Sequence, residues 1–194
     1  MMTVNNSFQE EAKPILTVNK FKFITWLFII TIVMLFASQT SAYLVRRAEG
    51  NWIEFAVPTI FYWSTGVLLI SSVMMFLAQR FARNDDFSKL RLAISMAFAF
   101  GIAFLCMQYF GWQELQSEGV YLKGNPSGSF LYVLTGLHAF HLITGLVVLL
   151  FALNAAFKMK IHSKSLVQIE VCSTYWHFLD LLWVYLFVFL IYFR

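Results

Sequence analysis

Five apolar stretches, each long enough to cross a bilayer as a helix, leave this chain of 194 residues few ways to fold. A hydrocarbon core of about 30 Å needs about 20 helical residues. Inside it every backbone group must be satisfied internally, which leaves helices or a closed barrel. The stretches run about Phe23–Val45, Pro58–Phe81, Leu90–Trp112, Phe130–Phe157 and Glu170–Phe193. The breaks carry the expected punctuation. Arg46-Arg47 ends the first, Arg83-Asn84-Asp85-Asp86 parts the second from the third, and Gly124-Asn125-Pro126-Ser127-Gly128 precedes the fourth. Pro58 suits a first helical turn, where its missing N–H is no loss. The expected architecture is an all-α polytopic membrane protein, with a polar, aperiodic segment over residues 1–20 and one five-helix membrane domain over 21–194.

Charged residues make up only 12% of the chain, against roughly 25% in a soluble domain. The deficit runs along the whole length, so this is not a soluble domain with an anchor. The net charge of +4 is no nucleic-acid footprint, because the basic residues sit in short loops between apolar runs. Lys13, Lys20, Lys22, Arg80, Arg83, Lys89, Arg91, Lys158, Lys160 and Lys164 fall on one side. Only Arg46, Arg47, Lys123 and Arg194 fall on the other. This bias puts the amino terminus in the cytoplasm and the carboxyl terminus outside. The first stretch has a signal-peptide aspect, with Lys20 and Lys22 ahead of it and Thr40-Ser41-Ala42 near its end, but its apolar run is long enough to span. Cys106 and Cys172 lie alone in separate stretches and are expected to be small buried side chains.

Ionisable residues within such stretches need a partner or a special role. On the fifth, Glu170, Ser173, His177 and Asp180 hold one helix face, and beyond Asp180 that face turns apolar. The fourth carries Thr135, His138, His141 and Thr144, also on one side. The loop between these spans is short, so they are expected to be antiparallel neighbours. Their polar stripes are expected to face each other, with His141 or His177 within hydrogen-bonding range of Asp180 or Glu170. Three roles are open. A haem or metal site would need His177 opposite His138 or His141, and a copper or di-iron centre needs more ligands than four histidines can supply. A transmembrane proton relay would need a carboxylate beyond Asp180, and Glu54 and Glu114 lie only at the outer ends. A packed polar network, or a grip on a lipid head group at the inner edge, needs nothing more and is favoured.

The same residues carry a resemblance. Gly136-Leu137-His138-Ala139-Phe140-His141-Leu142-Ile143-Thr144-Gly145 followed by Tyr175-Trp176-His177-Phe178-Leu179-Asp180-Leu181-Leu182-Trp183 resembles subunit III of haem–copper oxidases, of the cytochrome c oxidase type. Trp26-Leu27-Phe28-Ile29, Ser41-Ala42-Tyr43-Leu44, Leu69-Ile70-Ser71-Ser72-Val73 and Asn125-Pro126-Ser127-Gly128-Ser129-Phe130 extend it to about residues 20–194. The resemblance implies the five-helix bacterial form of an accessory subunit with no catalytic residue, cofactor or metal of its own. The haems and copper would lie in partner subunits. Direct contact with subunit I, association with subunit II, bound phospholipid and support of proton uptake are implied in the same way, as is a bacterial inner membrane. Glu170, His177, Asp180, His138 and His141 would form the structural network or lipid contact. A related quinol oxidase or nitric oxide reductase helper is the nearest alternative; a di-histidine electron carrier and a small transporter are more distant ones.

Two departures matter. The family often has a Ser-Glu pair where this chain has Thr31-Ile32, and a glutamate where it has Gly111. Whatever relatives do with the first-helix carboxylate does not transfer, which tilts the expectation toward structural and lipid-holding roles.

Overall fold

The computed structural model describes residues 19–54, 56–158 and 166–193. It contains α1 (Lys20–Ala48), α2 (Thr59–Arg83), α3 (Phe87–Ser117), α4 (Pro126–Phe157) and α5 (Val167–Phe193), and no strand among the described residues. All five are long and apolar enough to cross a membrane. The expected spans therefore hold to within a few residues at their ends; Pro58, expected in the first turn of the second, is instead the N-cap that precedes α2. Most of the polar segment 1–20, together with His162, Lys160, Lys164 and Arg194, lies outside the described residues.

Local chemistry fixes the helix starts. The side chains of Asn19, Asp86 and Asn125 accept backbone N–H groups of α1, α3 and α4 respectively, satisfying donors that a helix start leaves free. Pro126 follows Asn125 directly, at the first helical position. Asp85 turns the chain between α2 and α3 with φ 55°. Asp86 then receives Lys89 N at 3.4 Å and pairs with Lys89 Nζ at 2.7 Å. The Lys89 side-chain and backbone bonds hold the Asp86 carboxyl below the usual carboxylate range. Asn125 also ties two loops together: its Nδ2 donates to Asn51 O at 3.1 Å.

Helices α2, α3, α4 and α5 form a closed ring, each packed on the next and α5 on α2. α1 lies outside the ring on the α4–α5 seam and does not pack on α2 or α3. This position explains the burial contrast: half of the most apolar window of α5 is buried, against 17% of that of α1. Trp176 and Trp183 of α5 are both 1% exposed and fill the ring's interior with Leu68, Ile94 and Phe104. Glycines let them in. A Cβ on Gly101 of α3 would meet Trp176 Cη2 at 2.8 Å, and one on Gly145 of α4 would meet Leu179 Cδ1 at the same distance.

α1 is tied to α5 near both ends. Lys22 Nζ lies 2.7 Å from Glu170 Oε2 at the basic end, which carries Lys20, Arg83 and Arg91. At the opposite end, Tyr43 OH donates to Phe193 O at 3.0 Å, and the Tyr43 ring meets Trp52, Phe130 and Phe189 edge-on. Arg91 of α3 donates to Ala156 O and Phe157 O, covering carbonyls left free at the end of α4. Cys172 is buried as expected, whereas Cys106 is exposed on the outer surface of α3, a correction to its expected burial.

Candidate functional site

The polar stripe of α5 does lie on one helix side, but the side it meets belongs to α2. His177 Nδ1 is 2.7 Å from Ser72 Oγ. Ser173 Oγ donates to Gln79 Oε1 at 3.5 Å, about one turn of α5 nearer the basic end. No hydrogen bond reaches either Asp180 oxygen. Asp180 is 3% exposed. Glu170, at the basic end, pairs with Lys22 of α1 and sits 4.0 Å from Arg83 of α2.

This corrects the expected pairing. Neither His141 nor His177 hydrogen-bonds Asp180 or Glu170. His141 Nδ1 lies 2.7 Å from Leu137 O of its own helix, and its ring packs 5.7 Å from that of Phe36 on α1. His138 is fully buried. Its ring sits 5.0 Å from Trp183 and 5.9 Å from Phe104, and neither nitrogen has a partner. The contact between α4 and α5 instead uses Thr144 Oγ1 and Tyr175 OH, 2.8 Å apart. The reason is geometric: the chain connection makes α4 a neighbour of α5, but α5 also abuts α2 and α1. Its polar face is turned toward α2.

Residues outside the expected set complete the network. Trp176 Nε1 donates to Ser71 Oγ at 3.2 Å, and Ser71 Oγ donates onward to Ala97 O of α3 at 2.9 Å. Trp183 Nε1 donates to Thr65 Oγ1 at 2.9 Å. Gln108 Nε2 of α3 donates to Ser64 Oγ at 3.1 Å, and Trp112 Nε1 to Thr135 Oγ1 of α4 at 3.1 Å. The hydroxyls of α2 thus receive indole and amide donors from both flanking helices. The signal available in the sequence was the indole N–H itself, a buried donor that needs an acceptor. Among the described residues, no three His, Cys, Asp or Glu side chains converge as a metal set.

The family model for cytochrome c oxidase subunit III matches residues 3–194. The chain belongs to the cytochrome c oxidase subunit III family. Among its relatives, the cytochrome c oxidase subunit 3 of Bacillus sp. (strain PS3) is 30% identical over 167 residues, covering 84% of this chain and 80% of the relative. The probable cytochrome c oxidase subunit 3 of Nocardia farcinica is 31% identical over 165 residues, covering 80% and 79%. That of Bacillus subtilis is 27% identical over 197 residues, covering 96% and 95%. Membership of the subunit III family implies a complex with other oxidase subunits, and the last match extends over nearly the whole of both chains.

Proposed function

We propose that this chain is an accessory, cofactor-free subunit of a haem–copper terminal oxidase in a bacterial cytoplasmic membrane. It packs directly against subunit I, which holds the haems and a copper, and shares the complex with subunit II. It supports oxygen reduction and proton pumping there by bracing structure, by holding phospholipid and by sustaining proton uptake on the cytoplasmic side. Its amino terminus is cytoplasmic and its carboxyl terminus periplasmic, following the basic bias of Lys22, Arg80, Arg83, Lys89 and Arg91 over Arg46, Arg47 and Lys123.

One observation carries the bracing role. Trp176, His177 and Trp183 of α5 each bond across to a hydroxyl of α2. Polar groups at mid-depth that are engaged in helix-to-helix bonds favour assembly over redox chemistry. Glu170 with Lys22 and Arg83 at the basic end is the charged set best placed for a phospholipid head group.

The experiment is purification through a tag on this chain. Haem-bearing subunits are expected to co-purify. In the Asp180→Leu variant the yield of intact complex is expected to fall, while the complexes that survive begin turnover at a normal rate. An unchanged yield with electron transfer abolished at once would overturn the bracing role. A Soret absorption band belonging to this subunit alone would overturn the cofactor-free one.

A further inference from the structure

α1 and α2 both pack on α5 but not on each other. Between them runs an open groove whose floor is one stripe of α5. At the basic end it forms a cavity of about 260 Å³ lined by Lys22, Thr25, Trp26, Gln79, Glu170 and Thr174. There the Glu170 pairs with Lys22 and Arg83 reach from wall to floor to wall. Farther along, Thr174 and His177 are part-exposed, and Leu181, Val188 and Tyr192 are 69%, 58% and 77% exposed. Spacings of 3, 4 and 7 keep these residues on one helix face.

His177 decides what the groove is for. Its Nδ1 is taken by Ser72, while no hydrogen bond among the described residues reaches its Nε2, which is not enclosed by the chain. The residue stands ten positions into α5, roughly 15 Å along the helix from the basic end. A lipid head group lies at the membrane surface and does not reach that depth, and an acyl chain offers a ring nitrogen no hydrogen bond. A helix with a polar side chain at the same level does.

We infer that the groove between α1 and α2 is the seat of a transmembrane helix from another oxidase subunit, and that this helix presents a hydrogen-bonding side chain to His177 Nε2. The inference rests on the reading of the chain as an oxidase subunit, and adds the face and the contact. The groove is floored by a half-satisfied imidazole and, at its basic end, walled by Trp26 of α1, which is 57% exposed, and Gln79 of α2. Such a surface suits a mostly apolar helix carrying one polar group.

The test uses the intact oxidase. A photo-crosslinking residue, benzoylphenylalanine, replaces Leu181 on the groove floor or, as a control, Phe151, which is 70% exposed on α4. Illumination is expected to join position 181 to another oxidase polypeptide, and position 151 to lipid. In parallel, His177→Phe is expected to lose this subunit from the complex during purification, whereas His177→Gln, which keeps a donor and an acceptor, retains it. Cross-linking of position 181 to lipid alone, or to a second copy of this chain, overturns the inference. So does a His177→Phe subunit retained as firmly as the unaltered one. If the chain fails to co-purify with haem-bearing subunits before any substitution, it is the oxidase assignment that fails instead.

Discussion

Ser72 Oγ on α2 lies 2.7 Å from His177 Nδ1 on α5, at the middle of both helices. The bond holds the imidazole in place and leaves its other nitrogen for a partner. Ser72→Ala is expected to weaken the α2–α5 contact by about 0.6 kcal/mol, the usual size of an interhelical bond in a membrane. Thermal unfolding of the purified oxidase, following loss of this subunit, measures it. A rise in stability would contradict a bonding role for the pair.

Trp183 and Thr65 give a cleaner measurement, because the indole N–H can only donate, to Thr65 Oγ1 at 2.9 Å. Trp183→Phe removes the donor and part of the ring volume; Thr65→Val removes the acceptor at nearly constant shape. The double variant is expected to be less destabilised than the sum of the singles by about 0.6–2 kcal/mol. Strict additivity would show that the bond contributes nothing.

Close approach around Trp176 predicts a contrast among glycines. A Cβ at Gly101 would stand 2.8 Å from Trp176 Cη2 and 2.9 Å from Leu146 Cδ2, whereas one at Gly136 would meet nothing within 4 Å. Gly101→Ala is expected to cost about 1–3 kcal/mol through overpacking. Gly136→Ala is expected to be neutral or to stabilise by up to about 1 kcal/mol. Melting temperatures of the two variant complexes, compared directly, check the order.

Asp86 predicts a pH dependence. Its hydrogen bonds to Lys89 hold the carboxyl below its ordinary range in the folded chain, so the native state binds fewer protons than the unfolded one. The contribution is complete above the unfolded value of about 3.9 and is lost as pH falls through the lower folded value. Asp86→Ala is therefore expected to lower the melting temperature at neutral pH, with the gap to the unaltered protein closing in strong acid. A gap independent of pH would mean that the cap acts without its charge.

The span limits were legible because helix length, Asn125-Pro126 and the Arg83–Asp86 turn are local signals. The shared face of His177 and Asp180 was legible too, since helical periodicity fixes it. Which neighbour that face meets was not. A short connection makes α4 adjacent to α5, but it does not set the rotation of α5 about its axis, and α5 has three neighbours. Ser71, Ser72 and Thr65 read as small residues that permit close packing. Their hydroxyls prove to be partners for Trp176, His177 and Trp183, a pairing that only the register between α2 and α5 reveals.

The seating of α1 has a consequence for biosynthesis. Of the five described helices it comes earliest in the chain, yet it rests only on the last two, and the Tyr43–Phe193 bond closes a loop of 150 residues. Contacts so distant along the chain form late. The docking of α1 is therefore completed only once α5 has inserted, and a nascent chain halted before Val167 would hold α1 in the bilayer with half its resting place unmade.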